Sequence, residues 1–163
     1  FSGWIDLSLN EADVGKGAVS ALARQQTSIA IVEALNILAA KGATGNLNAL
    51  PGGPTKTWGD FDLDKDGVMD AITVIHSGYA AENGNNGGVD FYGTPKTNRV
   101  WSHKANLAGI PAGTANWATA LNAWKFANVV VSAYNIENGL AGTGVSNPVS
   151  TCMYLAVDFS CFV

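Results

Sequence analysis

The chain has 163 residues, a formal net charge of −4 at pH 7 and only 13% charged residues, roughly half the share of an ordinary soluble domain. That length bounds it to one domain, or a piece of one, and 47% hydrophobic residues are enough for a proper core. The acidic balance and the lack of a basic run exclude a nucleic-acid surface, and no apolar stretch reaches membrane-span length. Low charge with many Gly, Asn, Thr and Ser predicts a secreted protein with long loops. Phe1 is neither an initiator Met nor the start of a signal peptide, so the sequence reads as beginning inside a longer product or after processing.

In chain order, Ile5, Leu7 and Leu9 alternate with polar residues and predict a short extended segment. Residues 10–17 are turn-like, with Asp13 read as an N-cap. Ala18 to Lys41 is the clearest helix, since Ile31, Leu35 and Leu38 recur at helical spacing. Lys41 in the last turn and Gly42 beyond it supply a normal ending. Residues 42–58 read as loop, because Pro51-Gly52-Gly53-Pro54 forbids regular structure.

Next comes the stretch that carries chemistry. Five carboxylates fall within the eleven residues from Asp60 to Asp70. Two unpaired carboxylates about 4 Å apart repel by about 4 kcal/mol at an effective dielectric near 20, so such a cluster calls for a cation or full solvation. The pattern Asp-x-Asp-x-Asp-Gly-x-x-Asp is that of a calcium loop, with Gly67 at the sharp turn. The predicted ligands are Asp62, Asp64, Asp66, Asp70 and the carbonyl of Val68. The competing reading is a solvated acidic turn. This is not an EF-hand: counting from Asp62, Thr73 stands at position twelve in place of Glu. Ile72, Val74 and Ile75 then predict a buried strand rather than a helix.

Residues 80–98 read as irregular, Arg99 to His103 as a strand end and residues 106–113 as loop. Thr114 to Trp124 is predicted to hold a short helix, Phe126 to Tyr134 a second strand, and residues 135–148 a polar loop. Residues 151–163 are apolar. Cys152 and Cys161, with eight residues between them, fit no zinc signature and form one disulfide or stay free thiols. Glu82 and Glu137 are weighed as further ligands or cleft residues against plain solvation. His76 and His103 read as structural imidazoles rather than ligands. Trp58 and Trp101 read as core or rim.

Three segments, taken in order, are the run from Asp60 to Gly78, then Ala81-Glu82-Asn83-Gly84, then Val100-Trp101-Ser102-His103-Lys104. Together they resemble the immune inhibitor A family of secreted zinc metallopeptidases. Val129 to Tyr134, followed by Glu137, resembles that family's next strand. The resemblance covers about residues 17–140. It implies a zincin-like α+β fold, in which a mixed sheet and one long helix form an upper subdomain beside an active-site cleft. It also implies structural Ca²⁺, a secreted setting and a peptide or protein substrate. The complete family domain holds Zn²⁺ on a His-Glu-x-x-His helix, whose Glu polarises the metal-bound water.

This sequence departs from the family where that helix is due. Ser150 to Val163 contains no His and no Glu, and His76 and His103 are the only histidines in the chain. Catalytic zinc normally takes three protein ligands, so no catalytic residue is assigned and this chain alone is not expected to hydrolyse peptides. Two functions are weighed. One is the calcium-stabilised portion of a secreted zinc metalloendopeptidase-like domain. The other is a non-catalytic structural or binding module of an extracellular assembly.

Overall fold

The computed structural model describes residues 5–16, 20–40, 56–70, 72–79, 81 and 95–140. It is of the α+β class, with two small sheets and two α-helices among the described residues.

Residues 5–10 alternate between half-buried and exposed, as their pattern predicts. Ile5, Leu7 and Leu9 lie against the core, and both the N–H and the hydroxyl of Ser8 donate to Glu33, at 2.7 and 2.9 Å. Helix α1 (Glu11–Gly15) follows. Its N-cap is Asn10, whose side chain accepts from the Asp13 N–H at 3.0 Å. Asp13 is therefore capped rather than capping, a correction to the sequence reading. The Asn10 side chain, three residues upstream at the N-cap position, accepts that open N–H, and Asp13 pairs with Lys16 at 3.2 Å instead.

Gly15 ends α1 directly against the backbone of Arg99. A Cβ there would lie 2.8 Å from the Arg99 carbonyl oxygen and 2.9 Å from its nitrogen. Backbone cannot give way as a side chain can. Gly15→Ala is expected to cost about 1–3 kcal/mol, read from the midpoint of urea unfolding. An unchanged midpoint would mean that α1 does not seat on Arg99.

Helix α2 (Ala21–Ala39) is capped by Ser20, whose side chain accepts from Ala23 N at 3.0 Å. It is buried over a broad arc of its surface, with Thr27 and Ser28 flanking the Ile31, Leu35 and Leu38 stripe and Ala23, Ala30, Val32, Ala34 and Ala39 widening it. The small residues among them let neighbouring chain approach closely. The predicted ending at Lys41 and Gly42 lies outside the described residues.

The first sheet has the order β1–β6–β2. Strand β1 (Thr73–Tyr79) runs parallel to β6 (Ala133–Leu140), with Thr73 opposite Asn135 and His76 opposite Asn138. Strand β2 (His103–Asn106) runs antiparallel to β6, with His103 opposite Ile136. The second sheet is an antiparallel meander of β3 (Trp117–Ala118), β4 (Ala123–Phe126) and β5 (Val129–Val131).

Four sequence expectations give way here. Residues 114–124 form β3, a 3₁₀ turn at Thr119–Leu121 and the start of β4, not a helix. Asn116 and Asn122 sit at φ 58° and 49° and break any helical run. The single strand expected over Phe126 to Tyr134 is the end of β4, a tight turn, then β5 and the start of β6 in the other sheet. The polar loop expected after Asn135 is strand through Leu140, because pairing on both sides of β6 outweighs the poor propensity of Asn and Glu. Strand β2 likewise starts at His103, where the predicted strand ended, and continues to Asn106.

The turn from β4 to β5 places Ala127 at φ 49° and Asn128 at φ 66°. A two-residue hairpin with both positions left-handed matches the twist of its strands, but Ala pays for the Cβ at such a φ. Ala127→Asn is expected to add about 1 kcal/mol, which raises the melting temperature by about 2–4 °C. Calorimetry checks this, and a lower melting temperature would contradict the turn.

The core gathers Trp58, Trp124, Tyr134, Leu35, Leu107, Val32, Val129 and Val131, all essentially inaccessible. Trp58 and Trp124 rings meet at 5.0 Å between centroids, and Phe126 stands 5.8 and 5.9 Å from them. The Trp124 indole N–H donates to Asn36 Oδ1 at 2.9 Å. Trp58 is thus core, while Trp101 is rim, 40% exposed.

Candidate metal centre

The acidic loop is held at both ends. On its N-terminal side a 3₁₀ turn spans Trp58–Phe61 and anchors Trp58 in the core. Asp60 closes that turn: its Oδ2 accepts from the Thr57 N–H at 2.7 Å and the Thr57 hydroxyl at 2.9 Å. The Thr57 N–H first, and then its hydroxyl, hold the Asp60 carboxyl below its usual range. Asp60 is therefore spent on the turn. On the C-terminal side Met69 and Ile72 are buried, and β1 starts at Thr73.

The middle of the loop is sewn to β5. Val130 N–H donates to the Gly67 carbonyl and Met69 N–H to the Val130 carbonyl, both at 2.8 Å. Neither bond uses the Val68 carbonyl. Gly67 takes φ 87°, a conformation that side chains rarely adopt.

Within this frame the carboxylates of Asp62, Asp64 and Asp70 each offer an oxygen within 4.8 Å of the others. Backbone N–H groups fix all four predicted carboxylates. Asp62 Oδ2 accepts from Gly67 at 3.0 Å, Asp64 Oδ1 from Asp66 at 3.2 Å, Asp66 Oδ1 from Val68 at 2.7 Å and Asp70 Oδ2 from Leu63 at 2.6 Å. Each bond occupies one oxygen of a carboxylate that has two. The structure brings Asp62, Asp64 and Asp70 together. It places Asp66 beside them as the acceptor for Val68, outside the group of three.

Asp62 decides what this geometry is fit for. It is 7% exposed, and its Oδ1 is buried with no hydrogen-bond partner among the described residues. A buried carboxylate oxygen left unpaired costs several kcal/mol. A divalent cation held by oxygen ligands would satisfy such an atom. The residues present therefore fit a hard cation.

The other candidates lie elsewhere. Glu137 is exposed and accepts from the Asn135 side chain at 3.2 Å. Glu82, Cys152 and Cys161 lie outside the described residues. His103 is fully engaged. Its Nδ1 lies 2.5 Å from the Trp101 carbonyl and its Nε2 2.9 Å from the Tyr134 hydroxyl. An Nδ1–H donating to that carbonyl leaves Nε2 to accept from Tyr134. Burial pushes the Tyr134 hydroxyl above its ordinary range, against the opposing effects of a hydrogen bond with Ser28 and the charge of Arg24.

One polar cluster had no signal in the sequence. Glu11 of α1 lies 3.4 Å from His76 Nδ1 on β1 and pairs with the Arg99 guanidinium. All three side chains are largely buried, with 11–20% exposed. They are far apart in the chain, and no spacing rule links them. Neither a protein-family model nor a curated protein matches this chain.

Proposed function

We propose that the Asp62–Asp70 loop binds one structural Ca²⁺, and that the chain is the calcium-stabilised portion of a secreted zinc metalloendopeptidase-like domain. The observation that carries the calcium reading is the buried, unpartnered Asp62 Oδ1 in a group of three carboxylates. Asp62, Asp64 and Asp70 would hold the ion, with Asp66 and the Val68 carbonyl as the remaining protein ligands. An all-oxygen donor set favours Ca²⁺ over softer metals, and a loop of flexible carboxylates suits it better than the rigid octahedron of Mg²⁺. Its role is to neutralise the loop and brace the start of β1 against β5.

The peptidase reading is supported by the ordered set of motifs, and by one placement. The segments that carry the resemblance contribute β1, β2 and β6, which are neighbours in one sheet. Zn²⁺ belongs to the complete family domain, and no residue of this chain is assigned to it.

Isothermal titration of the metal-free chain tests the calcium site. One equivalent of Ca²⁺ should bind, Mg²⁺ should compete poorly, and Asp62→Asn should weaken binding by about tenfold or more. Absence of binding heat at millimolar Ca²⁺ would remove the site. Mass spectrometry of the natural product tests the rest. A product that extends into a His-Glu-x-x-His helix supports the peptidase, and one without it leaves the non-catalytic extracellular module.

A further inference from the structure

A cavity of about 370 Å³ opens between the N-terminal segment, α1, α2 and β1. That is the size of a small-ligand pocket, and an apolar cavity of only about 150 Å³ already holds benzene. Ile5, Leu7, Val14, Ile31, Val74 and Val100 give it an aliphatic lining. The polar side chains that border it mostly keep their heads elsewhere. The Glu11 carboxylate is turned to His76 and Arg99. Glu11 Oε1 and both ring nitrogens of His76 are inaccessible, and Thr27 is 2% exposed. A water molecule held here needs two to four polar partners, and these covered atoms cannot supply them. An apolar space of this size left unfilled forfeits the dispersion contacts of its wall atoms.

We infer that this cavity binds a small apolar molecule, of about the size of a substituted benzene ring, whose buried part carries no hydrogen-bonding group. A hydroxyl or amine placed inside would exchange its water for aliphatic walls. An anionic head is disfavoured as well. Asp6 is the one exposed side chain among the described lining residues, and the Arg99 guanidinium is committed to Glu11. None of the described residues of the acidic loop lines the cavity, so this site stands apart from the calcium reading.

The full chain, in calcium, is titrated with toluene, phenol and benzoate by calorimetry. One equivalent of toluene is expected to bind, phenol roughly fivefold or more weakly because its hydroxyl finds no partner, and benzoate more weakly still. Ala34→Phe enlarges a side chain of the α2 wall. It should keep the fold and abolish toluene binding, whereas the same enlargement in a filled core would destabilise. Should the variant fail to fold, the wild-type methyl resonances report instead. Saturating toluene should shift those of Ile5, Val14, Ile31 and Val74 by its ring current and leave those of Val129 and Val131 on β5 in place. No toluene binding at saturation, phenol or benzoate binding as tightly as toluene, toluene binding kept by a folded Ala34→Phe, or unmoved methyls on the cavity wall each overturns the assignment.

Discussion

Removing calcium from the full chain is expected to lower its melting temperature by roughly 5–10 °C. With a dissociation constant on the order of 10 μM and about 1 mM free calcium, binding at the proposed site would add about 2.7 kcal/mol to the folded state. That is a large part of the roughly 5–15 kcal/mol that holds a domain together. Asp62→Asn separates charge from shape. The amide keeps an oxygen for the Gly67 N–H but removes one negative charge from the cluster. In calcium it should melt several degrees below the wild type, because the ion loses a ligand charge. In chelator the order should reverse or vanish, because the variant has less carboxylate repulsion to bear. Calorimetry in both buffers reads the crossing. A variant that loses the same stability with and without calcium would show that Asp62 serves packing alone.

Trp124→Ala is expected to cost about 3–5 kcal/mol, enough to leave the fold marginal. The side chain is 0% exposed. It touches the rings of Trp58 and Phe126 and donates to Asn36, so its removal opens a void where β4, α2 and the turn before the acidic loop meet. Trp124→Phe retains a ring and loses the N–H donor. It should cost about 1–2 kcal/mol, partly for the hydrogen bond and partly for the volume. Because Trp58 is the ring partner and starts the turn leading into Asp60 to Asp70, the Ala variant should also weaken calcium binding. Urea unfolding followed by circular dichroism, with and without calcium, measures both effects. A Trp124→Ala midpoint within the error of the wild type would contradict the core described here.

The clustering of the acidic loop was legible in the sequence because its carboxylates are local: alternating Asp residues and one Gly are a pattern that a short window contains. The same holds for α2, whose Ile31, Leu35 and Leu38 repeat at helical spacing, and for β1, with its β-branched run. What was not legible depends on partners. Strand β6 contains Asn135, Glu137 and Asn138, which read as loop until β1 and β2 flank them. The break between β5 and β6 is invisible in Val129 to Tyr134 because both halves are apolar, and only the two sheets distinguish them. The 114–124 region lost its predicted helix to two left-handed Asn residues whose conformation no periodicity reports. The meeting of Glu11, His76 and Arg99 depends on tertiary packing alone.

The chain leaves β5 at Val131 and enters β6 at Ala133. A single residue, Ser132, is all the slack between the two sheets, and its carbonyl is already taken by the Leu107 N–H at 2.8 Å. A shift of Val130, which is bonded to the acidic loop, would therefore have no tether in which to dissipate. It passes along one continuous main chain into the middle strand of the other sheet, so the two halves of this molecule are mechanically in series.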